Sequence, residues 1–280
     1  MAKVFLNDKI LDAQDAAVPV GDSGLLYGMG LFETMRAASG KVFCLDDHIE
    51  RLFTSAEKLG IKHDLTKDAI EKAIDEVLTA NSLTDSRLRL TLTAGSMSDE
   101  TTVATLLITA TDFTPYPSEY YEKGVRVILC DFRQTGADPL CGHKTTNYFA
   151  RLMALKKAHE KQAAESLWFT TDNRLAEGCV SNVFIVKDSV LYTPPLTTPV
   201  LNGIARRTVC EIAIENRIEL KEKDLAVEDL LAADEIFITN VIMLAMPVTS
   251  VESHTITEGK PGPVTKQILE EFRKLVTGVK

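Results

Sequence analysis

Residues 111–124 read TDFTPYPSEYYEKG. Two prolines, several polar residues and a closing glycine interrupt both the strand period and the helix period, so the stretch predicts a linker. It divides the 280-residue chain into a first part, residues 1–113, and a second part, residues 125–280, joined by a loop at 114–124. A chain of this length buries a large core and has room for two domains.

Upstream of the linker, KVFL turns through NDK into ILDA, and FETMRAASGKVFCL predicts a second hairpin turning at Ser39-Gly40. DDHIERLFTSAEKLG predicts a helix capped by Asp46 or Asp47 and stopped at Gly60. Its apolar stripe, Ile49, Leu52, Phe53, Ala56 and Leu59, follows the helical period. A second helix over KDAIEKAIDEVLTAN turns Ile70, Ala73, Ile74 and Val77 inward. RLRLTLTA alternates, with Leu88, Leu90 and Leu92 on one side and Arg87, Arg89 and Thr91 on the other. That is the pattern of a half-buried strand, and VATLLITA is its expected partner.

Downstream, VRVILCD, SLWFT, NVFIV, SVLYT and EIFITN predict strands, alternating with helices near 147–162, 204–217 and 263–277. The last helix places Val264, Ile268, Leu269, Phe272 and Leu275 on one face. There is no internal repeat and no low-complexity tract. The fold class expected is α+β in two parts.

Hydrophobic residues make up 45% and charged residues 25%, an ordinary globular balance. A net charge of -9 argues against a basic nucleic-acid-binding face. The five cysteines, Cys44, Cys130, Cys141, Cys179 and Cys210, show no CxxC spacing, which predicts free thiols in a reducing cytoplasm rather than disulfides or a zinc site. The opening MAKVFLNDKI has no long apolar run and predicts no signal peptide. No segment approaches the ~20 apolar residues that would span a bilayer. The expectation is a cytoplasmic protein with neither nucleic acid nor membrane as partner.

Familiar nucleotide and hydrolase signatures are missing. GMGLFE at 28–33 lacks the third glycine of a dinucleotide loop, and GxxxxGK[ST], HExxH and GxSxG do not occur. The five histidines, at 48, 63, 143, 159 and 254, have no metal-ligand spacing. What remains is a set of polar residues at the ends of predicted elements, each with two readings.

In CGHKTTNYFARLMALKKAHEKQ, residues 141–162, Lys144 ends a loop punctuated by Gly136, Pro139 and Gly142. It is either a surface lysine or an amine that attacks a carbonyl once burial or nearby charge favours its neutral form. In PPLTTPVLNGIARRTVCEIA, Gly203 opens a helix whose first turn has no acid. The amides of Ile204 and Ala205 either hold an anion or belong to an ordinary capped helix. In RLAEGCVSNVFIV, Glu177 is either a solvated loop acid or a carboxylate entering a buried strand, which needs a cationic or protonated partner. Arg51, beside the stripe of its helix, either makes a surface ion pair or carries its fork to a phosphate. Taken together, the four match the needs of pyridoxal 5'-phosphate: a lysine for the carbonyl, a cradle for the phosphate and an acid for the ring nitrogen.

Six motifs, YGMGLFETMR, LDDHIERL, HKTTNY, EGCVSNVFIV, LNGIARR and TNVIMLAMPV, carry a resemblance that covers nearly the whole chain. Each is weak alone, and their order and separation are specific. The chain resembles a fold-type IV, or class IV, pyridoxal-phosphate-dependent aminotransferase, the family of branched-chain aminotransferases, D-amino-acid aminotransferases and aminodeoxychorismate lyase. The resemblance implies a small α/β domain and a larger β-rich domain with flanking helices. It also implies a homodimer. It gives Lys144 the covalent link to the cofactor and the proton shuttle. Arg51 and the turn Gly203, Ile204 and Ala205 bind the phosphate, and Glu177 pairs with the ring nitrogen. Thr239 and Asn240 form a turn touching phosphate and substrate, and Tyr148 touches the cofactor's phenolic oxygen. Tyr27 and Phe32 line the substrate pocket, with Arg36 nearby.

The implied reaction moves an amino group between a branched-chain or other small amino acid and a 2-oxo acid. Departures bear on the subfamily. Tyr148 stands one residue closer to Lys144 than the tyrosine of branched-chain enzymes, and TNV replaces their Gly-Thr-Ala turn. TLTAGSMSDE has no Arg-x-His carboxylate trap of the D-amino-acid type. TNVIMLAMPV looks most like aminodeoxychorismate lyases, which release pyruvate and 4-aminobenzoate. The lyase and the D-amino-acid aminotransferase are the alternatives to transamination of a small amino acid.

Overall fold

The computed structural model describes residues 1–96, 104–256 and 258–278. The chain forms two compact units: Met1–Thr114 with His143–Tyr148, and Pro115–Gly142 with Phe149–Lys280.

The first unit opens with β1 (Lys3–Leu6) and β2 (Lys9–Asp12). The hairpin between them turns at Asn7, whose φ of 59° is the left-handed value asparagine tolerates. A short helix, α1 (Ser23–Tyr27), leads to β3 (Gly30–Ala38) and β4 (Lys41–Val42). The turn between β3 and β4 is Ser39-Gly40, as expected, with φ of 50° and 75°. Two helices, α2 (Leu45–Lys58) and α3 (Lys67–Ala80), precede β5 (Ser86–Thr93) and β6 (Thr105–Asp112). The six strands form one antiparallel sheet in the order β2-β1-β6-β5-β3-β4.

The alternation of RLRLTLTA sets this unit. Leu88, Leu90 and Leu92 are no more than 1% exposed, which contributes about 2 kcal/mol per side chain. They join Leu31 and Met35 of β3, Ile49, Leu52 and Ala56 of α2, and Ile70, Ala73, Ile74 and Val77 of α3 in one core. The cap of α2 differs from expectation. Cys44, in the left-handed region at φ 49°, holds the N-cap position, and Asp46 and Asp47 fall within the first turn. There their charges favour the helix dipole.

The second unit begins with α4 (Ser118–Lys123), inside the stretch expected to be a loop. Pro117 stands at its N-cap and Lys123 pairs with Glu119 one turn back. There follow β7 (Val125–Gln134), α5 (Phe149–Glu160), β8 (Glu165–Thr170), β9 (Leu175–Gly178), β10 (Asn182–Lys187), β11 (Val190–Thr193), α6 (Ile204–Glu215) and β12 (Leu220–Glu222). The chain ends with α7 (Val227–Leu231), β13 (Glu235–Asn240), β14 (Leu244–Val251), β15 (His254–Thr255) and α8 (Pro263–Thr277). The sheet order is β12-β11-β10-β13-β14-β7-β8-β9, with β15 on β14.

VFIV and IFI are unbroken apolar runs because β10 and β13 are central strands covered on both faces. Val183, Ile185, Ile236 and Ile238 enter one core. Phe184 and Phe237 stack on the other face at 5.0 Å. Gly262, at the N-cap of α8, has no side chain to cap with. The carboxylate of Glu235 reaches in instead, accepting from Val264 N at 3.0 Å and Thr265 N at 2.8 Å. Ile268, Leu269 and Phe272 of α8 are buried as expected, but Leu275 is 49% exposed.

Among the described residues, no helix is long and apolar enough to cross a membrane.

Candidate active site

The predicted residues divide between the two units. In the first, residues 143–148 lie along the start of β3. Phe32 N donates to Lys144 O at 2.8 Å and Thr146 N to Gly30 O at 2.8 Å, with Leu31 and Thr145 facing each other as a bridge. Asn147 Nδ2 and Thr146 Oγ1 donate to Gly28 O, each at 2.8 Å, and His143 Nδ1 bonds Ser55 Oγ at 2.9 Å. The glycines of GMG permit this approach. A Cβ on Gly28, at φ 70°, would sit 2.7 Å from Asn147 Oδ1, and one on Gly30 would sit 3.0 Å from Leu92 O and 3.1 Å from Thr146 Oγ1.

Lys144 is thereby held beside an aromatic wall. Its Nζ lies 4.4 Å from the Phe32 ring centre and 5.9 Å from that of Tyr148. The two rings meet edge to face at 5.2 Å. The guanidinium of Arg89 lies 3.5 Å over the same Phe32 ring, with Nε donating to Thr91 Oγ1. Burial pulls Arg89 down to about 10, and it makes no ion pair among the described residues. An arginine in that state is suited to an anionic ligand.

Alternation along β3 sends Glu33 to the opposite face, toward α2. Its carboxylate accepts from Arg51 Nε at 2.8 Å, Arg51 Nη2 at 2.5 Å and His48 Nδ1 at 2.6 Å. Burial raises the Glu33 carboxyl, but the Arg51 charge and the His48 hydrogen bond outweigh it and hold it at about 2. Burial likewise lowers His48, against the pull of Glu33 and helped by the Arg51 and Lys144 charges. His48 Nε2 is buried with no hydrogen-bond partner among the described residues. Arg51 therefore gives part of its fork to Glu33, a partner the sequence reading did not assign.

Arg36, expected beside the substrate, donates to Ala37 O at 2.7 Å and Asp85 Oδ1 at 3.2 Å, and stacks over Phe113 at 3.3 Å. Arg89 is the arginine that meets Phe32. Tyr27 ends α1 and is 64% exposed. Residues 97–100, the close of the TLTAGSMSDE stretch, lie outside the described residues.

In the second unit, Glu177 is the next-to-last residue of β9 and is buried, 4% exposed. Oε1 accepts from Arg151 Nη2 at 2.5 Å and Oε2 from Leu201 N at 2.9 Å. Arg151 is thus the cationic partner that a carboxylate in a buried strand requires. Beyond it, the turn 178–181 is built around Glu165. The Glu165 carboxylate accepts from Ser166 N, Cys179 N, Val180 N and Ser181 Oγ.

Gly203 is the N-cap of α6 and supplies no side-chain cap, so the amides of Ile204 and Ala205 open onto the helix start. A Cβ on Gly203 would sit 2.1 Å from Asn182 Oδ1. Asn182 in turn donates to Leu201 O at 2.9 Å and faces Thr239 across the β10–β13 ladder. The Thr239 hydroxyl is buried with no hydrogen-bond partner among the described residues. A helix N-terminus without a cap and an orphaned hydroxyl beside it fit a phosphate. Asn240 uses its side chain on its own turn, accepting from Ile242 N and Met243 N and donating to Val180 O.

Sequence reading missed Glu33, His48, Arg89, Arg151 and Asn182. Signals existed for two. Glu33 stands at an inward position between Leu31 and Met35, and His48 shares a helix face with Arg51 at i, i+3. Arg89, by contrast, looked like an outward-facing strand residue.

The profile of the family described as Amino-transferase class IV matches residues 30–251. A Methanocaldococcus jannaschii protein, provisionally named a branched-chain-amino-acid aminotransferase, is 36% identical over 98% of this chain and 96% of its own. The D-alanine aminotransferase of Bacillus licheniformis is 34% identical over 95% of this chain and 94% of its own. The T.th. branched-chain amino acid aminotransferase, solved with pyridoxamine 5'-phosphate, superposes with a TM-score of 0.94 at 26% identity, covering 100% of this chain and 95% of that one. The chain belongs to the class IV aminotransferases, which work with pyridoxal 5'-phosphate.

Proposed function

We propose that this aminotransferase takes the amino group of a branched-chain or other small amino acid and passes it to a 2-oxo acid, with Lys144 as the residue that bonds the cofactor and moves the proton. The observation that carries this reading is the setting of Lys144: its backbone pinned to β3, its amine over Phe32, and on the same ring a half-buried Arg89 with no acid partner among the described residues. Amino acids and 2-oxo acids share a carboxylate, so one arginine serves both halves of the reaction. The Phe32 and Tyr148 rings suit a small apolar side chain.

When bound, pyridoxal 5'-phosphate supplies an electron-accepting ring to the substrate carbon that loses its proton. The chain supplies the rest. Lys144 Nζ would take the substrate α-proton and give it back, as the general base and acid of the site. Within the second unit, the amides of Ile204 and Ala205 and the Thr239 hydroxyl would hold the phosphate, and the bare Gly203 keeps that approach open. Glu177 would accept from the protonated ring nitrogen. Tyr148 would hold the phenolic oxygen. Asn240 keeps the turn after Thr239 in shape. Arg36 is held by Asp85 and Ala37 O rather than on the Phe32 ring, and Tyr27 stands at the rim of the substrate pocket.

Two copies are inferred to associate. Leu25, Leu26 and Tyr27 on α1, and Phe149, Leu152 and Met153 on α5, are between 48% and 65% exposed apart from Phe149 at 78%. Apolar surface of this kind on each helix favours a partner. Among the described residues no cysteine forms a disulfide, which supports a cytoplasmic location.

The test is the visible spectrum of the protein loaded with pyridoxal 5'-phosphate, before and after an amino donor is added without an acceptor. Lys144→Ala is expected to lose the lysine-dependent band. Conversion to the pyridoxamine form with L-leucine or L-glutamate supports the proposal. Conversion with D-alanine alone places the chain with the D-alanine enzymes. Consumption of aminodeoxychorismate alone, with pyruvate released, makes it the lyase.

A further inference from the structure

Arg151 occupies a position where an arginine is costly. The buried residues of α5 are Ala154 and Ala158. Arg151 stands one helical turn before Ala154 on that same stripe, so it points where the helix meets the sheet. An apolar residue at such a point would avoid the desolvation of a guanidinium.

The contacts show what the charge does there. Nη2 donates to Glu177 Oε1 at 2.5 Å and to Gln134 Oε1 at 3.4 Å. Nη1 donates to Gly178 O at 3.0 Å and to Cys179 O at 3.4 Å. The guanidinium also lies 5.3 Å from the Trp168 ring centre. The fork therefore grips the Glu177 carboxylate and the backbone of the two residues that follow it. Leu201 N holds the other oxygen at 2.9 Å. A carboxylate has about four lone-pair sites, and each Glu177 oxygen has given up one of its two to these donors. A further N–H donor still has a place on either oxygen. It meets a carboxylate whose charge is already shared with a cation.

We propose that Arg151 is a positioning residue for Glu177: it fixes the carboxylate's orientation and shares its charge, so that the ring nitrogen of the cofactor holds its proton less tightly than it would against an unshared carboxylate. This rests on the reading of Glu177 as the ring-nitrogen partner. The titratable groups around the pair within this unit are Cys141 and Cys179, whose thiols burial pushes up, and Glu165, which burial also raises, across the 178–181 turn. Asp138 lies on the Cys141 side. None of these is a second cation, so the charge sharing is assigned to Arg151.

The experiment uses the full chain as wild type, Arg151→Gln, Arg151→Lys and Glu177→Gln. In the loaded protein, the nitrogen resonance of 15N-labelled pyridoxal 5'-phosphate is followed against pH. In the cofactor-free protein, the amide proton shift of Leu201 reports the orientation of the carboxylate it bonds. The proposal expects Arg151→Gln to move the ring-nitrogen midpoint up by about one pH unit, the lower end of what one close charge does to a titrating group. It expects Arg151→Lys to fall between, since lysine keeps the charge and loses the fork. It also expects the Leu201 amide to shift in Arg151→Gln. An unchanged midpoint with only a lower melting temperature overturns the proposal and leaves Arg151 a structural clamp. A ring nitrogen unmoved in Glu177→Gln as well shows that Glu177 is not its partner, and then the functional reading of Glu177 fails rather than the Arg151 pairing alone.

Discussion

Arg51 and Glu33 form a two-point ion pair at 2.8 and 2.5 Å, with His48 on the same carboxylate, on the face of β3 opposite Phe32. One strand thus carries the aromatic wall of Lys144 on one side and a buried charge network on the other.

That network gives the fold a defined acid sensitivity. The Glu33 carboxyl sits at about 2, against 4.5 for an ordinary glutamate. A lowered carboxyl adds stability that is fully present above 4.5 and is lost as pH falls toward 2. His48, lowered by burial, acts in the same direction, since the unfolded chain takes up its proton first as pH falls below the ordinary histidine value of 6.5. Glu33→Gln leaves Arg51 and His48 without their anion and is expected to lower stability at pH 7 by about 3 kcal/mol. Urea unfolding at pH 7 and pH 3 checks this. The gap between wild type and variant shrinks at the lower pH, and a constant gap refutes the assignment.

Arg89 has the opposite profile. A half-buried guanidinium with no acid partner among the described residues costs the fold energy and serves a ligand. Arg89→Leu is expected to leave the melting temperature equal or higher while kcat/KM for the productive amino donor falls roughly 10- to 100-fold, the range of one hydrogen bond to a charge. Lower stability with unchanged kinetics would make Arg89 an ordinary framework residue.

Thr239 offers a cleaner separation of binding from stability. Its hydroxyl is buried with no hydrogen-bond partner among the described residues, so Thr239→Val removes an unsatisfied group at nearly constant volume. The cofactor-free protein is expected to melt at the same temperature or higher. The dissociation constant for pyridoxal 5'-phosphate, followed by fluorescence quenching, is expected to rise roughly 5- to 10-fold, equivalent to about 1 kcal/mol for one hydrogen bond. Unchanged affinity would remove Thr239 from the phosphate cradle.

Local elements were legible in the sequence where period and punctuation agreed. RLRLTLTA showed its alternation, Ser39-Gly40 its hairpin turn and Lys67 through Ala80 its helix, because each depends on neighbours a few residues away. The residues 143–148 were not legible as part of the first unit. Their pairing with Gly30 and Phe32 spans more than a hundred positions, and nothing in HKTTNY marks which strand edge it meets. Lys144, Glu177 and Gly203 stood out because their residue types sat oddly at element ends. Arg89 and Arg151 did not, because an arginine on the polar side of a strand or in a lysine-rich helix looks solvated until burial is known.

The long-range pairing of 143–148 also makes the last prediction. Gly30 has no side chain where Leu92 O and Thr146 Oγ1 would lie 3.0 and 3.1 Å from a Cβ. The Leu92 contact is backbone and cannot swing away, so Gly30→Ala has to move either β5 or the Thr146 side. The Thr146 side is held to β3 by Phe32 N and Thr146 N, while β5 pairs with β3 over eight residues. The shorter pairing yields first, and Lys144 lies within it. Gly30→Ala is therefore expected to cost about 1–3 kcal/mol of stability. It is also expected to slow the appearance of the lysine-dependent band when pyridoxal 5'-phosphate is added. Ser39→Ala, in the distant hairpin turn, serves as a control that lowers stability without touching 143–148. If the two variants form the band at equal rates, the β3 pairing does not position Lys144.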